Sequence, residues 1–393
     1  MNAARKTQVV IIGSGPAGLM LGHLLRQHSI DCVILERQTA EHVLGRIRAG
    51  VLEQTTTDVL DRLQINKRLH AEGLVHDGFY LADGERLIHI DIAALTGKHV
   101  TVYGQTELTR DLIDAAPERR LEIIWQAADV ALHDIESQTP SVTLKADGSA
   151  QRIEARFIVG CDGFHGPSRQ AIPATRAQTF ERAYPFGWLG LLADVAPCNE
   201  ELIYANHENG FALASMRSKT RSRYYIQVPL DDHVDAWSDD RFWDELIVRL
   251  GPDAGSRVTR GPSLEKSIAP LRSFVFEPMQ YGSLFLAGDS AHIVPPTGAK
   301  GLNLASSDIA YLSEALIDWF KRGDESALST YSQRALARVW KSERFSWSLT
   351  RLMHRFPEDS PFDRRMQVAE LEYIATSSAA QKVIAENYVG LPL

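Results

Sequence analysis

The turn Gly13-Ser-Gly-Pro-Ala-Gly18 directly follows a β-branched run at 8–12, and Glu36 closes a second apolar run at 31–36. Each residue type has a use there. Gly13 makes the tight turn, Gly15 lets the backbone approach a pyrophosphate, and Gly18 allows a helix to pack closely on the strand. The amino end of that helix supplies N–H donors and a partial positive charge, while Glu36 can accept a ribose hydroxyl. The glycines alone are a weak signal. With strand, helix and acidic residue in register they point to a bound dinucleotide.

Three later segments add chemistry. Gly160-Cys-Asp-Gly-Phe-His-Gly166 and Leu286-Ala-Gly-Asp-Ser-Ala-His292 each follow an apolar run and set an aspartate, Asp162 or Asp289, at a strand end. Asp-Gly and Gly-Asp are also common turn dipeptides, so neither decides by itself. Pro295-Pro-Thr-Gly-Ala-Lys-Gly-Leu-Asn303 aims a row of backbone N–H groups at one point ahead of a helix, an arrangement suited to developing negative charge. Ser215 and Arg217 lie two apart on a predicted strand and so face one side, where hydroxyl and guanidinium can hold a carboxylate together.

The elements that must position these residues follow from the pattern. Runs at 8–12, 31–36, 156–160 and 283–288 read as buried strands, the first two forming a βαβ unit around a helix at 18–27. A helix is predicted over 51–69, with Leu52, Val59, Leu60 and Leu63 on one face. Short alternating strands are predicted from Gly78 to about Leu144, layered beside the first sheet. Between about Ala174 and Pro270, strand-like segments separated by turns predict an antiparallel sheet. From Asn303 onward the pattern is helical, with Trp340, Phe345 and Trp347 as packing residues. The expected fold is α+β with an α/β part: a Rossmann-type domain at 1–175, an antiparallel-sheet substrate domain at 176–270, a return to the first domain at 271–303, and a helical interface region at 304–393.

A length of 393 residues exceeds the usual single core, which agrees with two or three domains. The net charge of −8 argues against nucleic acid and anionic membrane surfaces as partners. Cys32, Cys161 and Cys198 are widely spaced and form no CxxC pair, as expected for buried thiols in a cytoplasmic protein; no metal is expected. The uncharged stretch at 9–25 carries too many glycines for a signal peptide, and no run is long enough to cross a bilayer.

An NAD(P) dehydrogenase would continue with parallel βα units after Glu36, and this chain does not. The glycine turn together with the Asp162 and Asp289 motifs resembles the group A flavoprotein aromatic hydroxylases. Longer segments narrow the resemblance to members acting on 4-hydroxybenzoate: Arg46-Ile-Arg-Ala-Gly-Val-Leu-Glu-Gln54, Tyr103-Gly-Gln-Thr106, Tyr184-Pro-Phe-Gly-Trp-Leu-Gly190, Leu202-Ile-Tyr-Ala-Asn206, Arg221-Ser-Arg-Tyr-Tyr225, Leu264-Glu-Lys-Ser-Ile-Ala-Pro270 and Ala385-Glu-Asn-Tyr-Val-Gly-Leu-Pro392. Together they span nearly the whole chain.

The resemblance implies FAD, with NADPH or NADH as co-substrate, and conversion of 4-hydroxybenzoate and O2 to 3,4-dihydroxybenzoate through a flavin C4a-hydroperoxide. It implies that Tyr204 bonds the phenolic oxygen and that Tyr388 leads a proton chain to a surface histidine, His76. Ser215, Arg217 and Tyr225 would clamp the carboxylate, and Pro296 would offer its carbonyl to the substrate oxygen. Asp162, Asp289, Arg48, Gln105, Arg223, Gly301, Leu302 and Asn303 would serve the flavin, with Lys300 and Asn303 tuning its electrostatics. NAD(P)H would meet Arg37, Gln38, Arg46, His165 and Arg272. His42 stands where NADPH-preferring relatives often carry tyrosine, which leaves the choice of nicotinamide open. A homodimer through the C-terminal helices is also implied. Two alternatives remain at this point: a sister hydroxylase for another phenolic acid such as 3-hydroxybenzoate, and a non-catalytic flavin-binding redox sensor.

Overall fold

The computed structural model describes residues 5–45, 50–84 and 86–393. Its central sheet has the strand order Gln280–Tyr281, Leu284–Leu286, Phe157–Gly160, Val9–Ile12, Cys32–Leu35 and Glu122–Ile124, parallel except for the first strand. Val9–Ile12, Cys32–Leu35 and Phe157–Gly160 are buried at every residue, which is why they read as unbroken apolar runs rather than alternations. Helix Pro16–Gln27 covers this sheet and packs against helix Gly301–Arg322. Pro16 starts the first helix where a missing N–H does no harm.

A second sheet of eight strands runs His292–Ile293, Ser263–Glu277, Gln178–Ala193, Arg221–Pro229, Ala212–Ser218, Ile203–Asn206, Gly78–Asp83 and Arg86–Asp91. Helix Asp239–Ser256, broken at Gly251 (φ +80°), packs on one face through Phe242, Trp243, Leu246 and Leu250. The other face meets the C-terminal helices, where Phe345, Leu349, Met353, Leu371 and Tyr388 join Phe79, Phe186 and Phe211 in one core.

Several expectations need correction. The predicted helix over 51–69 begins as the strand Val51–Leu52 and divides into helices Gln54–Leu63 and Lys67–Glu72, stopped by Gln64 in the left-handed region (φ +56°). Leu52 therefore sits on no helix face. The strands predicted from Gly78 to Leu144 do not share one layer. Gly78–Asp83 pairs in parallel with Ile203–Asn206 at the far end of the second sheet. Ala128–His133, Ser141–Ala146 and Ser149–Glu154 form a separate sheet with Arg5–Lys6. Helix Gln105–Asp114 lies between these strand groups in sequence and buries Leu108 and Leu112, four apart. Trp340 and Trp347 face outward, 39% and 42% exposed, whereas Phe345 is buried.

Candidate active site

A cavity of about 890 Å³ separates the carboxyl ends of the parallel strands from the eight-stranded sheet. Its cofactor-sized arm is built by strand ends. Val9–Ile12 delivers Gly13 with φ +102°, and an added Cβ there would lie 2.3 Å from the Cys161 carbonyl oxygen. Gly18 is equally constrained, because its Cβ would meet the Gly13 carbonyl oxygen at 2.0 Å. Gly15 instead faces open space and lines the cavity at the start of helix Pro16–Gln27. Glu36 is held by three donors: Ser14 N and Oγ to Oε2, each 2.9 Å, and Gln38 N to Oε1, 2.8 Å. Arg37, Gln38, Gln105 and His165 line the same arm.

The Asp162 Oδ2 atom accepts from Ser168 N at 2.9 Å, while Oδ1 is buried without a partner. Burial pushes this carboxyl up from its ordinary range. Asp289 lines the cavity on the turn after Leu284–Leu286. That turn is held by Asp308, whose Oδ2 accepts from Gly288 N at 2.9 Å and contacts His292 Nε2 at 2.7 Å. Pro296, Lys300, Gly301 and Leu302 close this side. The first N–H groups of helix Gly301–Arg322 have no intrahelical acceptor, so they present donors and partial positive charge at the cavity.

The inner end is aromatic and cationic. Tyr204 pairs with Leu213 across Ile203–Asn206 and Ala212–Ser218, so Leu213 and Ser215 share its face; a bulge between Met216 and Ser218 interrupts the alternation, and Arg217 also lines the cavity. Tyr225 opposes Leu213 from the next strand. Tyr204 and Tyr388 hydroxyls lie 2.9 Å apart in full burial, and Phe79 stacks on Tyr388 at 4.2 Å. Burial raises both phenols, Tyr204 to about 12. Arg217 gives Nη1 to Met216 O at 3.0 Å and approaches the Tyr225 hydroxyl at 3.5 Å, leaving Nε unbonded. It has no carboxylate partner among the described residues, and burial lowers its pKa.

Asn303, Arg223 and Arg272 stand outside the cavity wall, whereas Ser215 lines it. Asn303 straps the loop, accepting from Glu53 N and Thr56 Oγ1 and donating to Val51 O and Ala299 O. Arg223 turns to Glu265 and Ser267 behind Tyr225, away from the expected flavin contact. Ser215 already donates to Arg223 O at 2.6 Å, so its proton reaches a carboxylate only after rotation. Arg272 stacks on Phe164, beside His165, and pairs with Glu181 at 3.3 Å. Arg46 and Arg48 lie outside the described residues.

His76 is the clearest correction. It is buried, 2% exposed, rather than a surface terminus, and neither ring nitrogen has a hydrogen-bond partner. No direct bond joins it to Tyr388. Burial lowers its pKa to about 4, and the same cause holds His23 near 4. Both therefore stay neutral in the native state, while the unfolded chain takes up protons below its ordinary value of about 6.5. Stability falls as pH drops from about 6.5 toward 4, with a slope approaching ~1.4 kcal/mol per pH unit for each group. Thermal unfolding between about pH 7 and pH 5 should show this, and His76→Gln should flatten the dependence. An unchanged slope in the variant would show that His76 titrates alike in both states.

Sequence reasoning passed over Glu53, although it lies in one of the quoted segments. Lys300 Nζ donates to Glu53 Oε1 at 2.6 Å and to Tyr388 O at 2.8 Å, and Arg338 Nη2 reaches Glu53 Oε2 at 3.2 Å. All three side chains are buried. The only local signal was a carboxylate next to the apolar pair Val51 and Leu52. Trp188, on the substrate-facing wall, was likewise given no role.

The comparisons agree with this geometry. The family model described as FAD binding domain matches residues 6–346. The chain is 56% identical over 388 residues to p-hydroxybenzoate hydroxylase of Acinetobacter baylyi, covering 98% of this chain and 96% of that protein. It is 25% identical to tetracenomycin B2 monooxygenase-dioxygenase of Streptomyces olivaceus, over 94% of this chain and 74% of that one. The crystal structure of p-nitrophenol 4-monooxygenase from Pseudomonas putida superposes with a TM-score of 0.83 at 18% identity, covering 99% and 100% of the two chains, which shows a shared fold. The tight Gly13 turn, the pinned Glu36 and the unpartnered Asp162 oxygen fit an FAD lying along the cavity. Gly13→Ala should accordingly yield protein without FAD, checked by the flavin absorbance of the purified variant; full flavin content would deny the turn its role. By fold, cavity and sequence, the chain belongs to the FAD-binding family of flavoprotein monooxygenases.

Proposed function

We propose that this enzyme hydroxylates 4-hydroxybenzoate to 3,4-dihydroxybenzoate, using NAD(P)H and O2. The observation that carries the reading is Arg217, a half-buried guanidinium with no ion-pair partner among the described residues, lining the same cavity as Tyr204 of the Tyr204–Tyr388 hydroxyl pair. Partial loss of its hydration disfavours the charged guanidinium, and an entering carboxylate relieves that cost. Arg217 and Leu213 are four residues apart on a strand bulged at 216–218, roughly 10–13 Å, and Leu213 pairs with Tyr204. Two long side chains reaching inward across that span leave room for one benzene ring. The substrate named for the 56% identical relative supports the same compound.

In this reading Arg217 takes the carboxylate, with Tyr225 beside it and Ser215 turning its hydroxyl. The ring becomes nucleophilic as the phenol, ordinarily near pKa 10, loses its proton to the Tyr204 oxygen while Tyr204 passes its own toward Tyr388, after which Tyr204 donates to the phenolate. Tyr388 accepts the next position, and the Pro296 carbonyl orients the substrate oxygen. Bound FAD supplies electron acceptance from NAD(P)H and activation of O2. Glu36, Gln105, Asp162, Asp289, Gly301 and Leu302 hold it; Lys300 and Asn303 keep the loop beneath it in place. Arg37, Gln38, His165 and Arg272 receive the nicotinamide nucleotide. We assign cofactor binding to 1–175 and 271–303 and the aromatic acid to 176–270. We also assign a cytoplasmic homodimer joined through the C-terminal helices. Exposed Phe362, Met366 and Tyr373 on Pro361–Thr376 support that contact, and a monomer mass by sedimentation would overturn it. Among the described residues no helix is long and apolar enough to cross a membrane.

The test measures NADPH and NADH consumption in air with and without 4-hydroxybenzoate, quantifying catechol product and peroxide together. Stimulated consumption matched by 3,4-dihydroxybenzoate is the expected result. Stimulation yielding peroxide alone would make the compound an effector. Preferred turnover of 3-hydroxybenzoate would move the assignment to a sister hydroxylase, and no stimulation would remove the substrate.

A further inference from the structure

Helix Ser326–Met353 carries Ser346 and Thr350 on one face, and His354 caps its end. None of the three lines the cavity, but their contacts reach both of its walls. An added Cβ at Gly298, in the turn that bears Pro296, would lie 2.4 Å from Ser346 Oγ. Thr350 Oγ1 donates to Ser346 O at 2.7 Å, so the 2.8 Å contact between Thr297 and Thr350 hydroxyls has Thr297 as donor. His354, fully buried, receives the Trp188 indole N–H on Nε2 at 2.7 Å. An indole nitrogen only donates, which makes Nε2 the acceptor and puts the ring proton on Nδ1, 3.0 Å from Thr350 O. The ring also stacks with Phe211 at 4.2 Å and Phe186 at 4.8 Å.

We propose that His354 is a positioning residue for the substrate cavity: it fixes the Trp188 wall by accepting the indole proton, and through Thr350 it registers that wall against the Thr297 turn carrying Pro296. Both Trp188 and Pro296 line the cavity, whereas His354 does not. The histidine thus acts on the substrate through its neighbours. Burial holds its pKa near 3, so it remains an acceptor throughout the working pH range.

The inference rests on the reading that the cavity binds an aromatic acid, and the experiment separates the two. Wild-type holoenzyme is first titrated with 4-hydroxybenzoate, following the flavin spectrum; no binding there removes the substrate, not the role of His354. His354→Phe keeps the stacked ring but strands the indole N–H. Its substrate Kd is expected to rise about tenfold, with more NAD(P)H diverted to peroxide and FAD content unchanged. His354→Gln, which can both accept and donate, should restore most of the affinity. In a Trp188→Phe background there is no indole to receive, so His354→Phe should add little. A merely structural histidine would lower affinity equally in both backgrounds, which would overturn the proposal, as would wild-type affinity in His354→Phe. If that single variant fails to fold, His354→Asn, whose shorter amide falls short of Trp188, takes its place. It should bind more weakly than His354→Gln, and equal binding would again overturn the proposal.

Discussion

Arg217→Lys loosens 4-hydroxybenzoate by roughly a hundredfold, ~3 kcal/mol, while the protein retains FAD and its thermal stability. The expectation comes from the geometry of the guanidinium. Nη1 is tied to Met216 O and Nη2 leans on Tyr225, which fixes the plane of the fork and leaves Nε unbonded. A carboxylate can then meet two parallel N–H donors. Lysine keeps the charge but offers a single mobile ammonium on a site with no other cation on the cavity wall at that strand. Titrating the holoenzyme with substrate at constant ionic strength measures the effect. Affinity within a factor of about two of wild type would mean that charge alone, and not the fork, holds the acid.

Tyr204→Phe is expected to separate binding from hydroxylation. Substrate should still bind and still stimulate NAD(P)H consumption, because the carboxylate clamp holds the opposite end of the substrate ring. Product should fall by about 10²–10³ relative to NAD(P)H oxidised, with peroxide making up the balance, as when a donor to a developing oxyanion is lost. The reason is electrostatic. Burial keeps the Tyr204 phenol protonated, up near 12, so it donates to the substrate oxygen as negative charge grows there. Its own oxygen lies 2.9 Å from that of Tyr388, so Tyr204 can take the phenol's proton as it hands its own to Tyr388 and then donate to the phenolate left behind. Phenylalanine removes the donor and cuts this chain at its first link. Oxygen uptake, product and peroxide assayed in one sample decide it, and unchanged coupling would remove Tyr204 from the step.

What could be read in the sequence was mostly local. The Gly13 turn and Glu36 lie within a stretch of 24 residues, and their physics is contained in that stretch. FAD followed from the resemblance carried by that turn with the Asp162 and Asp289 motifs, and the mixed fold class from the succession of strand and helix patterns; the family comparison agrees with both. Arg217 and Tyr204 could be placed on strands, but only resemblance brought Tyr388, 184 residues away, to the Tyr204 hydroxyl. His76 was misjudged because a histidine in an alternating segment gives no sign of its depth. Helix Asp239–Ser256 was legible in principle: Ser238 caps it by accepting from Arg241 N, and Phe242, Trp243, Leu246 and Leu250 keep helical spacing. It went unseen because the strands on either side set the expectation for the whole interval. Glu53 carried no local mark, since its two cationic partners arrive from 247 and 285 residues downstream.

The long strands Gln178–Ala193 and Ser263–Glu277 run side by side for most of their length, one leaving the cofactor half and the other returning to it. A chimera spliced between them would build both sheets from strands of two parents, so exchange of gene fragments is a poor route to new substrates in this architecture. Variation enters best one position at a time, at side chains such as Leu202, Leu213 and Trp188 that line the cavity while the frame behind them stays whole. A library aimed at other phenolic acids should therefore saturate those wall positions and leave the crossover strands intact.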